Sequence, residues 1–149
     1  MTVIFRPATR ADVPAVVGLL VDDGLGSARE TEDMAIYQSA FDAMDKDAGN
    51  TLIVGEQDGR IVATYQITFI LGLSLKASRR AQIESVRVAS DLRGQGIGHH
   101  LMVDAEMRAR DAGCNLMQLT MNKSRTQTAR FYAQLGFTAS HIGYKRDVL

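Results

Sequence analysis

Apolar positions along this chain recur with two different periods. Behind Thr9, a residue type that caps helices, Val13, Val16, Val17, Leu20 and Val21 recur at helical spacing and predict a helix ending around Gly24. A glycine-containing loop, Asp22 to Ala28, separates it from a second helix over Glu30 to Lys46, with Met34, Tyr37, Ala40, Phe41 and Met44 on one stripe. The period then drops to two. Thr51 to Glu56 and Arg60 to Leu71 predict strands joined at Gln57-Asp58-Gly59, where Asp-Gly is a strong hairpin signal. Ala81 to Ala89 sets Ile83, Ser85 and Arg87 against Glu84, Val86 and Val88, the alternation of another strand. Ile97 to Ala112 predicts a helix with Ile97, Leu101, Ala105, Ala109 and Ala112 inward and Gly113 as its stop. Asn115 to Met121 reads as a strand, Thr126 to Leu135 as a helix ended by Gly136, and His141 to Val148 as a last strand. No repeat or linker interrupts this order, so a single α/β domain over residues 1–149 is expected.

Composition narrows the classes. Seventeen basic residues balance seventeen acidic ones, which argues against a uniformly basic nucleic-acid partner and against a polyacidic disordered tail. A chain of this length buries roughly two thirds of its unfolded surface, enough for a real core. Cys114 is the only cysteine, so no internal disulfide forms and no cysteine-based zinc ligand set exists; a reducing cytoplasmic setting is expected. The N-terminus lacks a basic flank followed by an apolar core, and no stretch approaches the about 18 apolar residues of a membrane span, so neither targeting nor membrane insertion is expected. The zero net charge hides an uneven distribution. Asp12 to Asp47 holds nine acids against two bases, minus seven; Lys76 to Leu149 holds twelve bases against six acids, plus six. Such faces are either simply solvated or meet ligands of opposite charge.

Chemistry concentrates in Arg93-Gly94-Gln95-Gly96-Ile97-Gly98, between a strand and a helix. Its glycines permit a tight turn and leave amide N–H groups uncovered, and the following helix adds its positive end, an arrangement suited to a pyrophosphate. A dinucleotide fingerprint starting at Gly94 requires Gly or Ala where His99 stands, and the Gly-Lys-Ser/Thr end of a nucleotide P-loop is absent.

The segment resembles the Arg/Gln-x-x-Gly-x-Gly/Ala motif of the GCN5-related N-acetyltransferase (GNAT) family, matched by Arg93, Gly96 and Gly98. Val86-Arg87-Val88 upstream, and Asn122, Ala129-Arg130-Phe131-Tyr132 and Leu135-Gly136-Phe137 downstream, follow in the family's order. The resemblance implies the GNAT fold, a mixed central β-sheet splayed between two cofactor-binding strands and flanked by about four helices, with acetyl-CoA in the opening. Backbone groups near Val86 and Val88 would then pair with the pantetheine and stabilise an oxyanion. The pyrophosphate would sit over Arg93, Gly94, Gln95, Gly96, Ile97, Gly98 and His99, with Asn122 supporting the cofactor.

An acceptor amine must lose a proton, and Glu84, on the strand before the glycine-rich loop, is the candidate base; an ion pair with Arg79, Arg80 or Arg87 is the alternative. Tyr132 resembles the family's general acid, the source of a proton for the leaving thiolate; a half-buried core aromatic is the alternative. The region between the first two helices, with Asp22, Asp23, Leu25, Arg29 and Glu30, resembles the acceptor wall, where acids would favour a cationic amine. No metal is expected: His99 and His100 diverge by about 100° on a helix, and His141 stands alone. The expected activity is transfer of acetyl from acetyl-CoA to a primary amine of a small molecule or peptide. A non-catalytic acyl-CoA-binding regulatory module is the alternative, and a homodimer is left open.

Overall fold

A computed structural model describes residues 2–22 and 30–149. Strands β1 (Ile4–Pro7), β2 (Asn50–Gln57), β3 (Arg60–Ile70), β4 (Arg80–Val88) and β5 (Leu116–Leu119) form one open sheet in chain order. The first four pair antiparallel, whereas β4 and β5 are parallel and need a crossover. Helix α3 (Ile97–Asp111) supplies it; α1 (Val13–Val21) and α2 (Met34–Asp45) precede β2, and α4 (Thr126–Gln134) follows β5. This is the mixed α/β architecture that the GNAT resemblance implies.

Register assigns the two faces of the sheet. Leu52 stands beside Gln66, and Gln66 beside Glu84. Leu52 packs against Val13, Val17 and Phe41, so this face looks at α1 and α2. The opposite face carries Ile53, Tyr65, Ile67 and Ile83, all fully buried, and faces α3. Its anchor is polar: the Tyr65 hydroxyl donates to Asp104 Oδ2 of α3 at 2.5 Å, and Arg108 Nε donates to the same oxygen at 2.8 Å. Burial, then the nearby carboxylate, push the Tyr65 phenol up, which keeps it a donor. Tyr65→Phe should lower the unfolding free energy by about 1.5–3 kcal/mol, the range for a hydrogen bond to a charged group, measured by urea titration.

Several expected boundaries move, each because a partner intervenes. Strand β1 is too short to show a period. Its place is set by pairing with β2 and by Arg6, which donates to Asp12 at 2.7 and 3.1 Å and to Glu56 at 2.9 Å. The Arg6 contact holds the Asp12 carboxyl below its ordinary range, and Asp12 in turn accepts the Thr9 N–H at 2.7 Å and starts the first helical turn. Helix α1 ends at Val21, which is exposed, while Leu19 is buried in its stead; α1 packs on both β3 and α2, which widens its buried arc. Helix α2 begins at Met34 rather than Glu30, because the Asp33 carboxylate accepts the Ala35 N–H at 3.2 Å. The expected strand over His141 to Val148 does not form: those residues are exposed and pair with no strand among the described residues.

Candidate active site

Pairing between β4 and β5 runs only from Arg80 beside Leu116 to Ile83 beside Leu119. β4 continues to Val88, so from Glu84 onward its β5-side backbone has no strand against it, and a gap opens in the sheet. A second irregularity falls at the same point. Thr64 stands beside Arg87 and Gln66 beside Glu84, so one residue of β3 opposes two of β4, and Ser85 takes a φ of 55°. This β-bulge overturns the strict alternation expected over Ala81 to Ala89. Arg87 joins Glu84 on the α1/α2 face, while Val88, beside Ala63, returns to the face of Ile83. Alternation in a sequence assumes one residue per pairing position, and an inserted residue leaves no mark on it.

Glu84 is exposed. The three arginines that could have paired with it donate elsewhere: Arg79 to the Ala112 carbonyl, Arg80 to Gln118 at 3.4 Å, and Arg87 to the Val86 carbonyl at 2.9 Å. No cation among the described residues is in ion-pair contact with Glu84.

Tyr132 belongs to α4, the helix that follows β5. Asn122 Oδ1 accepts from the Ser124 N–H at 3.0 Å and its hydroxyl at 2.6 Å, and so holds the turn that launches α4. On α4, Phe131 packs so closely on the start of α3 that a Cβ at Gly98 would lie 3.3 Å from its ring. Tyr132 meets Phe131 and Phe137 edge-on, with centroids 5.2 and 5.8 Å away. Burial raises the Tyr132 phenol above the ordinary tyrosine value, partly offset by the charges of Arg87 and Arg125. Tyr132 packs against the same core cluster as Val86 and Val88 of β4.

The glycine-rich loop closes the end of the gap. Gly94 and Gly96 have φ of 80° and 84°, and Gly96 caps α3. The first helical hydrogen bond runs from the His100 N–H to the Gly96 carbonyl at 3.1 Å, so the Ile97, Gly98 and His99 amides precede it and emerge from the helix end. Arg93 ties the loop down, donating to the Val88 carbonyl and the Asp22 carbonyl, each at 3.3 Å. Gly96→Ala should cost about 1–2 kcal/mol, the cost of a left-handed conformation for a residue with a Cβ, read as a lower urea midpoint.

The expected acceptor wall is distributed differently. Asp22 accepts from the Ser90 N–H at 3.0 Å and hydroxyl at 3.1 Å, which lowers its carboxyl, and so fastens the end of α1 to the segment after β4. Glu30 accepts the Tyr37 hydroxyl at 2.8 Å. Asp23, Leu25 and Arg29 lie outside the described residues. The structure therefore packs Val86, Val88, Tyr132 and Ile97 at the start of α3 against one core cluster, sets Glu84 and Arg87 on the α1/α2 face of β4, and engages Asp22 and Glu30 elsewhere. Arg87 had no signal of its own in the sequence, since only the bulge moves it. Among the described residues no group of three His, Cys, Asp or Glu could hold a metal, and no helix is long and apolar enough to cross a membrane.

The sequence model of the acetyltransferase (GNAT) family matches residues 17–137. A curated relative, the aminoalkylphosphonate N-acetyltransferase of Salmonella typhimurium, is 27% identical over 141 residues, covering 95% of this chain and 88% of the relative. Among solved structures, a transcriptional regulator from Bacillus halodurans C-125 superposes with a TM-score of 0.95 at 44% identity, covering 99% of this chain and 100% of that one. A Clostridium acetobutylicum protein described as a predicted acetyltransferase with acetyl-CoA superposes with a TM-score of 0.73 at 18% identity, over 97% of this chain and 96% of that one, a likeness of fold alone.

Proposed function

The chain belongs to the acetyltransferase (GNAT) family, and from that premise we propose that it moves the acetyl group of acetyl-CoA onto a primary amine by direct attack in a ternary complex. The observation that carries this reading is the gap beside β4, with Glu84 on the α1/α2 face, Tyr132 arriving with the α3–α4 side, and a glycine-rich helix start at its end. The residues fit such a ligand: unpaired β4 backbone suits an amide-bearing arm, and the amides of Ile97, Gly98 and His99 suit a pyrophosphate. Acetyl-CoA supplies an acyl group activated as a thioester.

The protein's part is proton handling and charge placement. A free primary amine is rare at neutral pH, at a cost of about 4–5 kcal/mol for a pKa near 10.4. Glu84 takes that proton, directly or through a water, and the nitrogen forms its bond to the acyl carbon. A β4 N–H beside Val86 or Val88 stabilises the oxyanion. As the carbon–sulfur bond breaks, Tyr132 gives its proton to the thiolate. Arg87, on the same face as Glu84, supports an acceptor that carries an acidic group as well as an amine; the name of the Salmonella relative describes such a compound.

One observation favours a second reading. The 44%-identical Bacillus halodurans protein is described as a transcriptional regulator, which suits an acyl-CoA-binding module without turnover. Melting the protein with and without CoA, then following thiol release from acetyl-CoA, separates the two. The panel is aminoalkylphosphonates, polyamines, aminoglycosides, amino acids and peptides. We expect a raised melting temperature and turnover that favours amines bearing an acidic group. A raised melting temperature without turnover on any acceptor would favour the regulatory module, and no response to CoA would sink both.

A further inference from the structure

Residues 89–93 join β4 to the glycine-rich loop, and each is held in place. The Val62 carbonyl of β3 accepts the Ala89 N–H at 2.8 Å, and Arg60, at the start of the same strand, donates to both carboxylate oxygens of Asp91 at 2.9 and 2.8 Å. Leu92 packs against the core cluster. Ser90 and Arg93 share one partner from another element, Asp22, the residue that ends α1. Its carboxylate accepts the Ser90 N–H at 3.0 Å and hydroxyl at 3.1 Å, and its carbonyl accepts from Arg93 Nη2 at 3.3 Å. The two Ser90 hydrogen bonds lower the Asp22 carboxyl, which is therefore ionised at neutral pH. An acid at the C-terminal end of a helix is disfavoured by the helix dipole, so α1 by itself does not account for Asp22; its partner 68 residues away does. Just beyond Arg93, Gly94 and Gly96 are exposed, and a Cβ added at either would meet nothing within 4 Å, which leaves that side of the loop open.

We infer that Asp22 is a positioning residue for the CoA site: by holding Ser90 and Arg93 it fixes the base of the glycine-rich loop, so that the amides of Ile97, Gly98 and His99 stand ready for the pyrophosphate, without itself touching the ligand. The inference rests on the acetyl-CoA reading, and it gives the end of α1 a part in cofactor binding in place of the acceptor role expected for Asp22. An anion nest works through several N–H groups aimed at one point, so its affinity depends on how far that aim is set before the ligand arrives. A turn built on glycines and left untied would have to be ordered on binding, at a cost in backbone entropy. The tie to α1 removes that cost beforehand. Charge by itself predicts the reverse, since a carboxylate on the Ser90 side of the loop repels a pyrophosphate, and an Asp22 acting only through space would weaken CoA binding. The two accounts differ in sign.

Titration calorimetry of CoA against the full chain reads that sign. Asp22→Ala should raise the Kd for CoA about fivefold or more, the lower end of typical coupling between sites, whereas loss of a merely repelling charge would lower it. Ser90→Ala keeps the charge and removes one of the two hydrogen bonds, so it should raise the Kd by a smaller factor. The double variant should bind about as weakly as Asp22→Ala, because both substitutions break the same tie. Asp22 and Ser90 are exposed, so both variants should fold; should Asp22→Ala fail to, Ser90→Ala decides by itself, and an unchanged Kd there overturns the tie. With a wild type that binds CoA, an unchanged or lowered Kd in Asp22→Ala, or two effects that simply multiply in the double variant, overturns the positioning role and leaves the acetyl-CoA reading standing. A wild type that does not bind CoA overturns both.

Discussion

Tyr132→Phe is expected to lower kcat by about 10²- to 10⁴-fold while leaving the KM for acetyl-CoA and the folded state nearly unchanged. The split follows from what the substitution removes. Phenylalanine keeps the edge-on contacts with Phe131 and Phe137, so α4 should hold its place against Gly98. Only the proton source for the leaving thiolate is lost. Burial holds the phenol protonated beyond the ordinary tyrosine value, so the acid form persists through neutral pH. In the wild type, activity should therefore show no alkaline loss attributable to Tyr132 below about pH 10. An unchanged kcat in the variant would remove Tyr132 from the acid role.

A comparable loss, about 10²- to 10⁴-fold near neutral pH, is expected for Glu84→Gln. Glu84 is exposed and has no ion pair among the described residues, so a near-isosteric amide should fold as the parent does. The diagnostic is recovery with pH. Without the base, the rate should track the free-amine fraction, which grows about tenfold per pH unit up to the amine pKa near 10.4. A residue that merely shaped the site would produce a deficit constant across pH. The measurement is the ratio of wild-type to variant kcat/KM between neutral and alkaline pH; a flat ratio assigns the base elsewhere.

These two residues show how legible the site was. Tyr132 could be placed because it follows a strand, a turn and a helix start in an order that the resemblance preserves. Glu84 could be placed on a strand ahead of the glycine-rich loop. Its neighbours could not be assigned to faces, because the bulge at Ser85 transfers Arg87 to the face of Glu84. The acids of the acceptor wall were legible as charge and illegible as function: Asp22 is fastened to Ser90 and Glu30 to Tyr37, partners 68 and seven residues away. The charge imbalance between the two halves of the chain remains, but Asp12, Asp22, Glu30 and Asp42 of its acidic half are each engaged within the protein, and Arg87 places a positive charge on the face of Glu84.

What the sequence determined by itself is what consecutive residues can specify. Spacing of apolar side chains set the order of helices and strands, and the glycines at 94 and 96 announced a turn that residues with a Cβ resist. Tertiary structure decided where pairing stops. β4 and β5 part company after Ile83 and Leu119 because of their pairing partners rather than their own composition, and that parting makes the gap. It decided the tail in the same way. His141 to Val148 carries the period of a strand, yet a strand exists only where another backbone accepts its hydrogen bonds, and none among the described residues does.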